Sequence, residues 1–458
     1  MGTIKTKQKE LRVSPRAVSS FPLNIPPYFL AQGVDISKAG LGFVSDKPLL
    51  LPKIKAEIEF APGKKIETEL KIMWGQQLAE SGKFRYGAAL IRLKEKDLGL
   101  FDQLVINAHT GKFLENIKDN NVRLKAAHFW QVDFPRYISD LRSMEIESQN
   151  LNPDYDGGFL NRFSDLNDNI IRIGAGVTQD LAKPLVKEMK RLFRELAGSW
   201  FYRSEIILKG FKKQRGYPGD FEMMNFVYDM RSITQDNIGK YFDRCLLNKA
   251  YAEAVRGRKD KMVEILKDFL ETAGGKPVNI LNIPCGPCRE IKELFSGLEQ
   301  NIGKVNYLCV DFDQEALDFS RKELAAIPGK VKLRFLQEDI FNFIKSPQRY
   351  AKRLGKFDLI YSIGIGDYLP DKITQKLLSF CWQFLKPGGS LIFAHKIEEK
   401  DPFAPLPPDW FCDWEFIPRN EADIERLITL SGIKGHSLKK EWEKSGLIAF
   451  FILKKENQ

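Results

Sequence analysis

From about residue 276 onward, short apolar runs alternate with helical stretches: VNILNI, NYLCV, VKLRFL, FDLIYS and SLIFAH. Strands separated by helices need crossover connections, and these place helices on both faces of a parallel sheet. The last two runs, KGHSLKKEW and LIAFFILKK, predict a closing antiparallel pair. The C-terminal part is therefore an open, Rossmann-like α/β sheet.

Upstream the period changes twice. Two long stretches between about 118 and 272, VTQDLAKPLVKEMKRLFRELAGSWFYRSEIIL and NIGKYFDRCLLNKAYAEAVRGRKDKMVEILKDFLETA, carry apolar residues three and four apart and predict amphipathic helices. Residues from about 10 to 110 alternate apolar with polar in QGVDISKAGLGFVS, KIKAEIEFA, KIETELKIMW and FRYGAALIRL, which predicts a small β-barrel. The expected organisation is multidomain: a barrel over 1–115, a helical segment over 116–272 covering the substrate site, and the α/β part over 273–458.

No run approaches the ~18 apolar residues of a membrane helix, so no integral membrane association is expected. The opening MGTIKTKQKE is polar and basic, without the apolar region of a signal peptide, which predicts a cytoplasmic protein. Six cysteines (245, 285, 288, 309, 381 and 412) lack the spacing of a disulfide scaffold and read as reduced thiols. Four separated histidines (109, 128, 395 and 436) predict no metal site. The net charge of +11, from 71 Lys and Arg against 60 Asp and Glu, favours anionic ligands. Its basic clusters (KTKQK, KGFKKQR and RGRKDK) are short and read as solvated faces, so no stable nucleic-acid partner is expected. Homodimerisation stays open.

Ligands of open α/β sheets sit beyond the carboxyl ends of the strands. After VNILNI comes PCGPCRE, where Gly286 lets backbone approach a ligand. The next strand ends at Asp311 in CVDFDQEAL, placed to accept from ribose hydroxyls, and the third ends in QEDIF, with Asp339 placed to accept from an adenine amino group. The fourth runs into FDLIYSIGIGDYL, and KPGG precedes the fifth. In this order the strings resemble the class I S-adenosylmethionine-dependent methyltransferases, whose sheet is seven-stranded, over roughly 240–458. The resemblance implies that Cys285, Gly286 and Pro287 line the methionine moiety and that Asp311 and Phe312 lie at the ribose and its flank. It also implies that Asp339 and Ile340 flank adenine and Ser362 closes the pocket. One glycine stands where that family commonly has GxGxG. Cys285 and Cys288 also form a CxxC, whose redox or zinc reading lacks a second cysteine pair.

A helix-breaking island, QRGYPGDFEMM at 214–224, gathers Arg215, Tyr217, Asp220 and Glu222 around Gly216, Pro218 and Gly219. Taken with CGPCRE, SIGIGDYL and DWEFIPR (413–419), it is similar to the 3-hydroxypalmitic acid methyl ester synthases, bacterial enzymes that methylate the carboxyl group of 3-hydroxy fatty acids to make diffusible signals. Pro218 replaces their usual alanine, and HKIEEKDPFAPLPPDW replaces a shorter Asn-rich segment. The resemblance implies a small acid as acceptor. An ionised carboxylate needs no general base, and Arg215 or Arg289 is suited to grip it bidentately. Tyr217, Asp220, Asp367 and Tyr368 are the orienting candidates, with Trp414 and Arg419 on the substrate side. His395 is a base if the nucleophile is a hydroxyl or amine, and otherwise a hydrogen-bonded strand-end histidine.

At the other end, RVSPR (Arg12 to Arg16) precedes VDISKAG (Val34 to Gly40) and FRYGAAL. RxxxR with DxSxxG at the head of a small barrel resembles the PilZ domain, a bacterial receptor for cyclic di-GMP. Guanidiniums clamp phosphates, bond guanine O6 and N7 and stack on bases. The resemblance therefore implies a cyclic di-GMP site at Arg12, Arg16, Asp35, Ser37 and Gly40. The expectation is a cyclic di-GMP-responsive methyltransferase using S-adenosylmethionine. A non-catalytic scaffold and an RNA or protein acceptor are the alternatives.

Overall fold

The computed structural model describes residues 16–26, 29–61, 63–151, 156, 158–297, 303–327, 329–398 and 406–457. Arg12 lies outside them. The chain divides into two compact units, one within residues 1–204, 234–242 and 403–411, the other within 205–233, 243–402 and 412–458.

The first unit opens with a closed antiparallel barrel of β1 (Ala17–Ile25), β2 (Phe29–Ser37), β3 (Gly40–Ser45), β4 (Lys53–Ala61), β5 (Lys64–Gln77) and β6 (Phe84–Leu93), in the order β1-β2-β3-β6-β5-β4. Every second side chain points inward, as strand geometry requires: Phe21, Leu23 and Ile25 on β1, and Ile54, Ala56 and Ile58 on β4, are buried. Pairing of Leu23 with Ile58 closes the ring, which removes exposed strand edges. QGVDISKAGLGFVS splits into two strands around Lys38 and Ala39, and β1 adds a strand around Pro22. Residues 98–110, expected to continue the strands, are instead the start of helix α1 (Leu98–Glu115).

Helices α2 (Asn120–His128), α3 (Phe134–Gln149), α4 (Phe159–Thr178) and α5 (Lys183–Phe201) complete this unit around an aromatic core. The Phe193 ring lies 5.5 Å from Phe134, 5.9 Å from Tyr137, 5.4 Å from Phe201 and 5.1 Å from Trp410. The indole of Trp410 occupies the space a side chain at Gly174 would need, since a Cβ there would stand 2.3 Å from it.

The second unit holds α6 (Glu205–Lys212), α7 (Phe221–Asp229), the end of α8 (Asn237–Leu247), α9 (Ala250–Thr272) and a seven-stranded sheet. Its strands are β7 (Val278–Asn282), β8 (Val305–Asp311), β9 (Val331–Gln337), β10 (Phe357–Ser362), β11 (Leu385–Lys396), β12 (His436–Trp442) and β13 (Ile448–Lys455), ordered β12-β13-β11-β10-β7-β8-β9. Five are parallel; β13 runs antiparallel to β11 and β12 to β13, as the closing runs predict. Successive residues feed opposite faces. Leu281, Leu308, Ile360 and Phe393 pack with α14 (Asp371–Phe384) and α16 (Glu421–Leu430), while Ile280, Tyr307, Tyr361 and Ile392 pack with α9 and α10 (Arg289–Gly297). The chain leaves β9 and returns at β10 on the far side of β7, so the topological switch lies between β7 and β10. No described helix is long and apolar enough to cross a membrane.

Lys38, in the β2–β3 turn, places its ammonium 4.2 Å over the Trp200 ring, buried and without a hydrogen-bond partner. Nearby Asp102 is already held by Arg142 at 2.7 Å. Burial pushes the Lys38 pKa down from 10.5 to about 7 against the pull of Asp102. The unfolded chain therefore binds one more proton between those values, and stability rises with pH across that window. The Lys38→Met variant is expected to melt above the native protein near pH 7, with the difference vanishing above pH 10.5. A difference in melting temperature independent of pH would show that the ammonium is not its source.

Candidate functional site

The turn after β7 is built as a cradle. Gly286 has φ +52°, and a Cβ on it would meet open space. Its amide donates to Asp311 Oδ2 at 2.8 Å, its carbonyl accepts from Ser320 Oγ at 2.9 Å, and the Cys285 amide donates to the Val310 carbonyl at 2.8 Å. Asp311 Oδ1 accepts from the Asp313 amide at 3.1 Å, and the carboxylate is buried, which raises its pKa. Across the switch, at the end of β10, the Ser362 hydroxyl is buried with no partner. Phe312 is exposed beside Asp311. Asp339 caps α12 (Ile340–Lys345) by accepting from the Phe341 amide at 2.9 Å, and Ile340 is buried. Cys285 and Cys288 are buried free thiols, and burial pushes Cys285 up, which makes it a poor nucleophile. Beneath the loop, Glu290 accepts from Asn282 Nδ2 at 2.9 Å and from Tyr361 Oη at 2.8 Å. Burial raises its pKa to about 8, so this carboxyl keeps its proton at neutral pH.

The island at 214–224 joins this cradle through Arg215. Its Nη1 meets Asp313 at 3.0 Å, and its Nη2 meets Glu315 at 2.6 Å and Glu222 at 3.2 Å. Its Nε lies 3.7 Å from Asp220, and its plane stacks 4.8 Å from the Phe221 ring. A guanidinium facing four carboxylates has its charge more than matched. Arg215 thus fixes the island to the turn after β8. Arg289 pairs with Asp229. Asp220 is committed as the N-cap of α7, accepting from the Met223 amide at 2.9 Å. Tyr217 packs 5.5 Å from the Phe312 ring, and burial beside Asp311 and Asp220 raises its phenol pKa far above the usual range.

Three of the singled-out strings meet at one point. A Cβ on Gly219 would lie 3.1 Å from the Trp414 ring and 3.2 Å from Tyr368 Oη, so glycine permits the contact. Trp414 Nε1 donates to Tyr368 Oη at 2.8 Å. Phe416 packs 5.0 Å from Tyr251, 5.6 Å from Tyr368 and 5.8 Å from Trp414. Asp367 Oδ1 accepts from the Lys396 amide at 2.8 Å and lies 3.2 Å from His395 Nδ1. The other ring nitrogen of His395 faces Arg419 Nη1 at 3.0 Å. Both nitrogens of His395 are thus engaged, its side chain is wholly buried, and burial lowers its pKa. Arg419 is equally enclosed, donating to the Gly366 carbonyl at 3.0 Å and the Leu369 carbonyl at 2.6 Å and pairing with Asp371 at 2.8 Å.

Sequence reasoning passed over Tyr251, Phe416 and Arg258. The signal for Arg258 was its phase: Val255, Arg258, Met262 and Leu266 form the buried stripe of α9, so this arginine occupies an apolar position.

In the barrel, Asp35 receives Arg16 Nη1 at 2.9 Å on one oxygen and Arg85 Nη2 at 3.2 Å on the other. Arg85, from FRYGAAL, was not among the expected ligands. Ser37 Oγ donates to the Gly40 carbonyl at 3.2 Å. Gly40 is demanded by packing within the barrel, since a Cβ there would stand 2.1 Å from the Ala88 carbonyl.

Residues 281–391 match the family model described as "Methyltransferase domain". No curated protein matches the chain. Among solved structures, a possible exported protein of Bordetella parapertussis is 17% identical, with 70% of this chain and 97% of that one covered and a TM-score of 0.40. The N-methyltransferase NodS of Bradyrhizobium japonicum is 14% identical over 43% of this chain and 97% of its own, with a TM-score of 0.30. The magnesium protoporphyrin IX methyltransferase of Synechocystis, solved with bound SAM, is 13% identical over 45% and 85%, with a TM-score of 0.32. The chain thus carries a methyltransferase domain, over residues 281–391.

Proposed function

We propose that this protein transfers a methyl group from S-adenosylmethionine to the carboxylate of a small acid, a 3-hydroxy fatty acid or a close analogue, and that its barrel binds cyclic di-GMP. The observation that carries the donor assignment is the Asp311–Gly286 bond beside the topological switch, inside the methyltransferase domain. Two further features fit a bound donor: the open space over Gly286 and the unsatisfied hydroxyl of Ser362. The residues that would hold it are Gly286 with its neighbours Cys285 and Pro287, Asp311, Ser362, and the Phe312, Asp339 and Ile340 group. When bound, that donor supplies an electrophilic methyl on a sulfonium.

The chain's own work is then placement. A carboxylate is already ionised at neutral pH, so no residue has to remove a proton. The neutral, enclosed state of His395 suits such an acceptor and ill suits a hydroxyl or amine nucleophile. Tyr251, Tyr368, Trp414 and Phe416 give the apolar wall that excludes water and orients the acceptor. The positive net charge favours an anionic acceptor and an anionic second messenger alike.

In the barrel, Arg16 of RxxxR and Asp35 of DxSxxG are paired and joined by Arg85, and this cluster supports dinucleotide binding. Regulation requires the dinucleotide to bind two states of the protein differently.

Calorimetry is expected to show S-adenosylmethionine binding by the native protein, weakened at least about tenfold in Asp311→Ala, the loss of roughly one charge-assisted hydrogen bond. No heat with native protein overturns the donor assignment. Cyclic di-GMP binding is expected to disappear in Arg12→Ala and in Arg16→Ala. Binding that survives both substitutions removes the sensor reading, and methyl-ester yield unaffected by the dinucleotide in native protein removes the regulatory one.

A further inference from the structure

Arg258 is a buried cation whose attracting carboxylate, Asp367, does not form a close ion pair with it. It is 7% exposed, and its Nε is sealed from solvent with no hydrogen-bond partner. Its Nη2 lies 3.9 Å from the thioether of Met224, and the neutral phenol of Tyr228 is its hydrogen-bonding neighbour. Among the described residues no carboxylate comes within 4.0 Å of it. Of the carboxylates nearby, Asp367 is committed to the Lys396 amide and to His395. The tyrosines that face the guanidinium, Tyr228 and Tyr251, are uncharged at neutral pH, their phenols raised further by burial.

Burying a charge without a close partner is costly, so proteins rarely keep one that nothing will answer. This protein keeps it at the carboxyl ends of the strands. A Cβ on Gly364, in the loop leaving β10, would lie 3.8 Å from Arg258 Nη2, so the guanidinium lies against that loop. Gly364, Tyr251 and Tyr368 beside it are themselves only part-buried. Arg215, Arg289 and Arg419 already have their carboxylates.

We infer that Arg258 is the counter-ion for the acceptor's carboxylate, which it receives between the Gly364 loop and the aromatic cluster of Tyr251, Tyr368, Trp414 and Phe416. This rests on the acid-methylating reading above and names the residue that selects an acid. A guanidinium fork matches a carboxylate, whereas a neutral amide of the same chain leaves the charge unanswered. The aromatic residues supply the surface for the adjoining apolar chain.

The test is calorimetric titration of native protein and Arg258→Met with 3-hydroxydecanoic acid and with its primary amide, S-adenosylhomocysteine being present throughout. The expected result is acid binding weakened about 30- to 100-fold in the variant, from loss of a charge-assisted pair. Affinity for the amide and for S-adenosylmethionine should change by less than about twofold, which a disrupted fold would not allow. Should the methionine variant lose donor binding too, Arg258→Gln is judged by the same criterion. Native-like acid binding in a variant that still binds donor overturns the role of Arg258 and leaves the acid-methylating reading intact. Failure of the native protein to bind the acid overturns that reading and this inference with it.

Discussion

The carboxylate of Asp311 holds the end of β8 and the turn after β7 together as one piece. It takes the amide of Gly286 on one oxygen and that of Asp313 on the other. Asp313 in turn receives Arg215, so the island at 214–224 is tied to the same point. A single buried acid thereby sets the position of the turn after β7 and of the helical island. Its burial raises the cost of its charge, and the backbone donors offset that cost.

The arginines of this unit divide by how their charge is answered. Arg215 and Arg289 are matched by carboxylates, and Arg419 by Asp371 and two backbone carbonyls, so these three organise structure. Arg258 is enclosed without such a match, and a ligand is the partner that would make its burial economical. The same contrast appears in the barrel unit at Lys38, where an ammonium is buried against Trp200 and yields part of its charge instead.

Much of the architecture was legible because it rests on periodicity. The alternation of apolar runs with helices predicted the parallel strands, and the two final runs predicted the antiparallel pair that β12 and β13 form. The PCGPCRE, CVDFD and SIGIGDYL strings fell at strand ends, where the sheet brings them together. The path at the other end was less visible. Pro22 masked the alternation of β1, and Leu98–Glu115 followed the barrel strands without a breaker strong enough to announce a helix. Roles were harder to read than places. Arg215, His395 and Arg419 look like site residues in a motif, yet their distances show side chains already occupied by neighbours. The RGRKDK cluster read as a solvated face, although Arg258 within it points into the core stripe of α9.

The sequence by itself determined which segments are strands and helices and where the chain reverses, because side-chain direction repeats every two or 3.6 residues. It also carried the strings within and around the methyltransferase domain at 281–391. Only the tertiary structure decided which charged groups answer one another: residues 215 and 313, 289 and 229, and 419 and 371 are far apart in the chain and adjacent in space. Whether a charge is free to meet a ligand depends on those neighbours and on burial, and neither is encoded in local spacing.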